Sequence, residues 1–410
     1  MSKPEISETV GGYRFVWKHD ELEIVVSRVK VHTSGRVTGE LVIRTTKEGY
    51  NPILYPASEY NFSAPNTRKS TARDLADKYP DWRWDDIIAQ LGHYMLERAR
   101  AGEPMRRLST TDEAREPTYL LEPILFQGLP TIIFGAKAVC KSTLGTVIYA
   151  TLTIPWHDNP LGLTVSNRPV SGVYLDWEVN EDVAHWNARK LKQGMNLPDF
   201  DLFYRRMALP LHQDIEAVSR YMEDIAAEFV IIDSLGPAVG GDLMKPAEAL
   251  QFNQALRQLN CSALIIGQTA KDPKAKVKST FGSTYFEYYA RNIFEVRKVE
   301  SEGDSRVDVA LFNTYCNIAR RQPPMGFNLN FNGTGITIER EDVRTVAEFM
   351  ERLSVSDRIL QHLKSGKCDV KTIMDTLELK RNTVDQALNR LKRKGKIVKV
   401  GNEWALAYID

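Results

Sequence analysis

Residues 131–153 read TIIFGAKAVCKSTLGTVIYATLT. A short apolar run, TIIF, a turn of small side chains and a longer apolar stretch predict strand, tight turn and helix, in that order. The turn, Gly135 to Thr143, is GAKAVCKST and departs at one position from the pattern G-x-x-x-x-G-K-[ST]. Cys140 stands where that pattern has its second glycine. Such a loop points backbone N–H groups and a helix N-terminus at an anion, which suits phosphate. Gly135, Ala136, Lys137, Ala138, Val139, Cys140, Lys141, Ser142 and Thr143 are therefore the candidate nucleotide cradle. Lys141 would reach the β- and γ-phosphates, and Ser142 would place its hydroxyl on Mg2+.

A β-carbon at position 140 sits where backbone must approach phosphate closely, which glycine does without steric cost. Cysteine is small, so weakened binding or slowed turnover is expected before outright loss. Cys140 would also lie at a helix N-terminus beside Lys141, a setting that lowers a thiol's pKa. Bound ATP is expected to shield that thiol from alkylation.

Two further stretches carry acids at strand ends. AEFVIIDSLGP (227–237) delivers Asp233 at the end of an apolar run, where it could complete a Mg2+ shell through water. VYLDWEVNED (173–182) places Asp176 and Glu178 on one side of a strand end, and one of them could polarise an attacking water. An acid-rich solvated loop would read the same way taken singly; three such features in order favour a nucleotide fold.

Around this core the chain separates by texture. Residues 1–101 form an accessory region, with period-two strands over 13–46 and a helical pattern over 71–101 that aligns Trp82, Trp84, Ile87, Ile88, Leu91, Tyr94 and Met95. Residues 102–117 are a polar linker. From 118 to 338, TIIF, VYLD, LFYR, FVIID, ALIIG, NIFEV and ALFN alternate with helical stretches, which implies an α/β domain on a mostly parallel twisted sheet. Residues 355–410 read as three helices and a hairpin turning at Gly401-Asn402, the plan of a winged helix-turn-helix.

Composition bounds the alternatives. The chain has 410 residues, 43% hydrophobic and 26% charged, as expected of a globular protein of two or three domains. Net charge is +1, so attraction to nucleic acid must come from local patches. Cys140, Cys261, Cys316 and Cys368 are widely spaced, which argues against a zinc site or a disulfide framework. With no apolar signal core and no run near the ~20 residues that span a bilayer, a cytoplasmic location is expected.

Taken in order, GAKAVCKST, YLDWE, VIIDSLG, LIIGQTAKD and GSTYFEYYAR make residues 119–331 resemble a RecA-type ATPase, in particular the RepA-like hexameric helicases of plasmids and phages. The resemblance implies ATP and Mg2+ as ligands, Glu178 as the water-activating base and Gln268 as the sensor of the γ-phosphate. It implies that Arg291, on a helix after Gly282, is an arginine finger acting in a neighbouring subunit, and hence a homo-oligomer such as a hexameric ring. A surface arginine on a helix is the plainer alternative. Relatives often carry a lysine on the strand that here reads LFNTYCNIARR, where Tyr315 or Asn317 stands; Arg320 and Arg321 are substitutes.

Two loops would face DNA in such a motor: 236–245, and 271–284 with Lys271, Lys274, Lys276 and Lys278. Closely spaced lysines suit a single-strand backbone, although a solvated loop looks alike. The tail is more specific. Between Lys380 and Lys399 stand eight Lys/Arg and one acid, Asp385. Arg381, Asn382 and Thr383 open the third helix, and Arg390, Lys392 and Arg393 close it, so duplex or structured DNA is the expected partner there. Winged helices also bind proteins. The reading is an ATP-dependent DNA motor, helicase-like, in phage or plasmid replication or recombination. The alternatives are a DNA-binding regulator or loader whose weakened nucleotide site is structural, and a recombinase-like filament.

Overall fold

The computed structural model describes residues 3–9, 11–32, 34–101, 105, 107–110, 116–269, 284–300, 305–346, 349 and 353–407. Two compact units divide the chain: residues 1–116 with Leu209–Ala226 and Gln251–Asn260 form one, and Pro117–Ala208, Ala227–Leu250 and Cys261–Asp410 form the other.

In the first unit, β1 (Glu5–Thr9), β2 (Gly12–Trp17), β3 (Leu22–Val31), β4 (Val37–Thr45) and β5 (Ile53–Asn61) form an antiparallel sheet in sequential order. Alternation buries Leu22, Ile24 and Val26 on β3 and Leu41 and Ile43 on β4. Where the periodicity predicts one helical stretch over 71–101, there are two helices, α1 (Pro65–Lys78) and α2 (Trp84–Ala101). Pro80 explains the break, because the residue before a proline is pushed out of the helical region. Tyr79 sits at φ −136°, ψ 73°. Trp82 lies in the break, buried, its indole N–H donating to the Asp20 carbonyl at 2.8 Å.

The second unit opens with β6 (Tyr119–Glu122) and β7 (Leu125–Phe126). Its sheet strands are β8 (Pro130–Gly135), β10 (Gly172–Asp176), β11 (Tyr204–Arg206), β12 (Phe229–Asp233), β13 (Ser262–Gln268), β14 (Asn292–Glu300), β15 (Arg306–Cys316), β16 (Met325–Phe331) and β17 (Ile336–Glu341); a short β9 (Thr164–Val165) pairs with β6. The order is β11-β10-β12-β13-β8-β14-β15-β16-β17. Pairing is parallel from β11 to β14 and antiparallel beyond. The sheet is thus the mostly parallel one of a RecA-like P-loop core, and its last strand extends three residues past 338. β10 and β12 are buried along their whole length, as continuous apolar runs require in a sheet covered on both faces.

The helices following the strands are α3 (Lys141–Thr153), α4 (Glu181–Met195), α5 (Leu211–Asp224, in the first unit), α6 (Leu235–Val239), α7 (Pro246–Gln258) and α8 (Thr284–Tyr289). Part of the 236–245 stretch expected as a loop is therefore helical. The C-terminal region has helices Val355–His362, Val370–Leu377 and Arg381–Arg393, then the hairpin of β18 (Ile397–Val400) and β19 (Glu403–Leu406). Ile359, Leu363, Ile373, Val384, Leu388, Leu391, Ile397 and Trp404 form its core. Among the described residues, no helix is long and apolar enough to cross a membrane.

Candidate active site

Parallel pairing brings the C-terminal ends of β8, β10, β12 and β13 to one edge. Asp176 registers with Asp233, and Gln268 with Gly135. Open α/β sheets bind ligands beyond this edge, where strand order reverses. The reversal lies beside β8, whose neighbours are β13 and β14. A cleft of about 410 Å3 opens there, lined by the loop residues Lys137 to Thr143 together with Glu178, Asp233, Ser234, Ile266 and Gln268.

The loop is built by close approach and by two left-handed residues. A β-carbon on Gly135 would meet the Val296 carbonyl oxygen at 2.6 Å, so only glycine fits. Ala138 and Cys140 both sit at φ +61°. The position where the motif prefers glycine thus demands left-handed backbone, and Cys140 accepts the cost of order 1–2 kcal/mol that a β-carbon brings there. No side-chain cap hydrogen bond closes the first turn of α3. Lys141 folds back on the loop, its Nζ donating to the carbonyls of Gly135 (3.1 Å) and Ala136 (2.6 Å). Burial lowers its pKa, opposed by the charges of Asp233 and Glu178.

Asp233 ends β12 and is 3% exposed. Burial pushes its carboxyl up to about 6, against hydrogen bonds donated by Ser142 and Tyr174 and with the acids Asp176 and Glu178 nearby. The Tyr174 Oη–Asp233 Oδ2 distance is 2.8 Å. A hydroxyl and a buried carboxylate in contact are hard oxygen donors suited to Mg2+, which ordinarily takes one or two carboxylates and substrate phosphates. A cation there would also offset the buried negative charge. Ser142 and Asp233 therefore fit the ion, which would supply neutralisation of phosphate charge.

Asp176 and Glu178 do not share a side of the strand. β10 stops at Asp176, which turns inward so that Oδ1 accepts from the backbone N–H groups of Glu178 (2.7 Å) and Val179 (3.0 Å). Asp176 is spent on closing its own turn. Glu178 lies beyond the strand in the cleft, where Oε1 accepts from the Ser234 hydroxyl at 2.5 Å. Gln268, the exposed last residue of β13, completes the rim. Ser234 and Tyr174 escaped the sequence reading because a serine and a tyrosine in an apolar strand context carry no distinctive spacing.

Arg291 is not on a helix. It joins α8 to β14, its backbone N–H donating to the Pro130 carbonyl at 3.0 Å. That puts it at the start of β14, opposite the start of β8 and roughly 16 Å of strand below the loop at ~3.3 Å per residue. Tyr315 and Asn317 sit at the same end, since Ile293 registers with Tyr315. Arg321 donates to the Asn313 carbonyl, while Arg320 is exposed. Lys271, Lys274, Lys276 and Lys278 lie outside the described residues. In the C-terminal region Arg381, Asn382, Thr383, Arg390, Lys392 and Arg393 are all exposed on the third helix, and Arg381 stands 3.8 Å from Asp385.

Residues 97–274 match the AAA domain family. The match takes in a little under half of the chain and contains the phosphate loop, Glu178, Asp233 and Gln268. With the strand order and the cleft, it supports a RecA-like P-loop core with a nucleotide site at the cleft. Among solved structures, a KaiC-like protein from the hyperthermophilic archaeon Pyrococcus horikoshii OT3 aligns at 13% identity with a TM-score of 0.38, over 57% of this chain and 99% of that one. A comparison with curated proteins returns no match.

Proposed function

We propose that this protein hydrolyses ATP with Mg2+ and couples hydrolysis to work on DNA. The observation that carries the reading is the meeting of Lys141, Ser142, Asp233, Glu178 and Gln268 around one cleft. Loop amides, the α3 N-terminus and Lys141 hold the triphosphate; Ser142 and Asp233 hold the ion. Glu178 takes a proton from water as the water oxygen bonds to the γ-phosphorus and the bond to ADP breaks. Gln268 sits where it can report the presence of the γ-phosphate.

Arg291 lies too far down the sheet to serve the cleft of its own chain, so an arginine-finger role requires a second subunit. A ring such as a hexamer, or a filament, supplies it. The exposed basic third helix, in a C-terminal region of three helices and a hairpin read as a winged helix-turn-helix, supports contact with duplex or structured DNA. A helicase-like motor of phage or plasmid DNA is the fuller form of this reading.

A second reading is favoured by the left-handed Ala138 and Cys140: a regulator or loader whose nucleotide site has weakened. Phosphate release from ATP, with and without single-stranded DNA, separates the two. The motor predicts DNA-stimulated release that falls ~10²–10⁴-fold in Glu178→Gln, the usual weight of a general base. DNA binding without phosphate release, in both the natural chain and Cys140→Gly, would establish the regulator.

A further inference from the structure

Resting on Glu178 as the base of the proposed ATPase, we infer that Ser234 is its positioning residue. The hydroxyl of Ser234 holds one oxygen of the Glu178 carboxylate and leaves the other for the attacking water.

The segment carrying the base is fixed at its backbone on two sides. The Trp177 N–H donates to the Asp233 carbonyl at 2.7 Å, tying the end of β10 to β12. The Glu178 N–H donates to Asp176 Oδ1 at 2.7 Å, closing the turn. These bonds set where the Glu178 chain starts but leave its side-chain torsions free. The 2.5 Å contact from Ser234 is the one that holds the carboxylate itself. A hydroxyl donating to a carboxylate is among the stronger hydrogen bonds, and this length is at the short end of its range.

Ser234 has a competing use that it does not take. It precedes α6, where a serine ordinarily turns its oxygen to the amides of the first turn. Here no side-chain cap hydrogen bond forms at α6. The side chain is 4% exposed, on extended backbone at φ −126°, ψ 167°. A buried hydroxyl that forgoes its local partner for a carboxylate on a neighbouring strand end is placed for that carboxylate. Ser234 also follows Asp233 directly, so one short segment sets both the ion's carboxylate and the base's side chain. An unanchored base spends less of its time in reach of the water, and the loss falls on turnover and not on binding.

The experiment uses the full chain with Ser234→Ala, Ser234→Thr, Glu178→Gln and the Ser234→Ala/Glu178→Gln double variant. It reads phosphate release against ATP concentration, nucleotide affinity and thermal unfolding. Expected for Ser234→Ala is a roughly tenfold lower kcat with KM, affinity and unfolding midpoint near those of the natural chain. Ser234→Thr, which keeps the hydroxyl, should recover most of the rate. The double variant should be no slower than Glu178→Gln, because residues acting as a unit are not additive. The inference is overturned by a Ser234→Ala chain as fast as the natural one, by equal slowing in alanine and threonine variants, or by lost nucleotide binding. Turnover that survives Glu178→Gln removes the base itself, a failure distinguishable from that of Ser234 alone.

Discussion

The nucleotide cleft and the third helix of the C-terminal region both gather charge, under opposite conditions of solvent. At and beside the cleft, Asp233, Asp176 and Ser234 are at most 4% exposed. Asp233 accepts from Tyr174 and Glu178 from Ser234, each on another element, and Asp176 accepts from the amides of its own turn. On the third helix, six candidate contact residues stand in water, with one acid, Asp385, 3.8 Å from Arg381. Burial multiplies what a single group does, because an unsolvated charge must find all its stabilisation in the protein. Exposure makes contributions small, additive and sensitive to salt. Substitutions in the two regions should therefore differ in size and in kind.

The largest expected effect is at Asp233. Asparagine there keeps an acceptor oxygen for Tyr174 but carries no charge for the ion, so Mg-dependent phosphate release should fall by orders of magnitude. The ligand-free chain, assayed with chelator, should become more stable. The sign follows from the raised pKa. Below the ordinary carboxylate value of 3.8, folded and unfolded chains both hold the proton and the charge costs nothing. Between that value and about 6, the unfolded chain has lost the proton while the folded chain keeps it, so stability falls as pH rises. Above that window the full penalty, at most about 3 kcal/mol, persists, and Asp233→Asn escapes it. Denaturant unfolding at pH 4 and pH 7.5 reads the difference. An equal gap at both pH values would break the assignment of buried charge to Asp233.

Next in size is Cys140→Gly. Removing a β-carbon from a left-handed residue relieves about 1 kcal/mol of backbone strain, offset in part by the added freedom of the unfolded chain. The gain should appear as tighter nucleotide binding or faster turnover rather than as a large change in unfolding. A companion measurement is alkylation of Cys140, which saturating Mg-ATP should slow. Equal labelling rates with and without nucleotide would place the thiol outside the phosphate cradle.

What was legible in the sequence follows the same division. Strands buried on both faces, such as Phe229–Asp233, announce themselves as continuous apolar runs, and the order of loop, Glu178, Asp233 and Gln268 is a property of chain connectivity. The three C-terminal helices and the hairpin were readable from helical spacing and from Gly401-Asn402. Edge strands were not: β1 is almost wholly polar, and β5 carries Pro56, which lacks a donor and suits an edge. Nor were side-chain roles that depend on three-dimensional neighbours. Asp176 and Glu178 are two residues apart and look alike in sequence, yet one caps a turn and the other faces the cleft. Arg291 looked helical because GSTYFEYYAR has no break in it, whereas pairing with the start of β8 draws the arginine into extended chain. The left-handed backbone at Ala138 is likewise invisible, since alanine is a good helix former and marks no turn.

The smallest effects belong to the third helix, and they test the comparison from its other side. Arg390→Ala leaves the core residues Leu388 and Leu391 in place, so folding should be unaffected. If the helix lies against DNA phosphates, each arginine removed should lower the slope of log affinity against log salt by about 1, with a modest and similar loss for every duplex sequence tried. Arg381→Ala should do more than Arg390→Ala where base edges are read, because Arg381 opens the helix, and its loss should then narrow the preference between sequences. Fluorescence anisotropy at several salt concentrations measures both quantities. Unchanged slopes in Arg381→Ala, Arg390→Ala and Arg393→Ala would mean that this basic face is solvated and that the region meets another protein. The contrast between a buried acidic cleft and an exposed basic helix would then hold for burial alone, and DNA contact would rest on the lysines near residue 276.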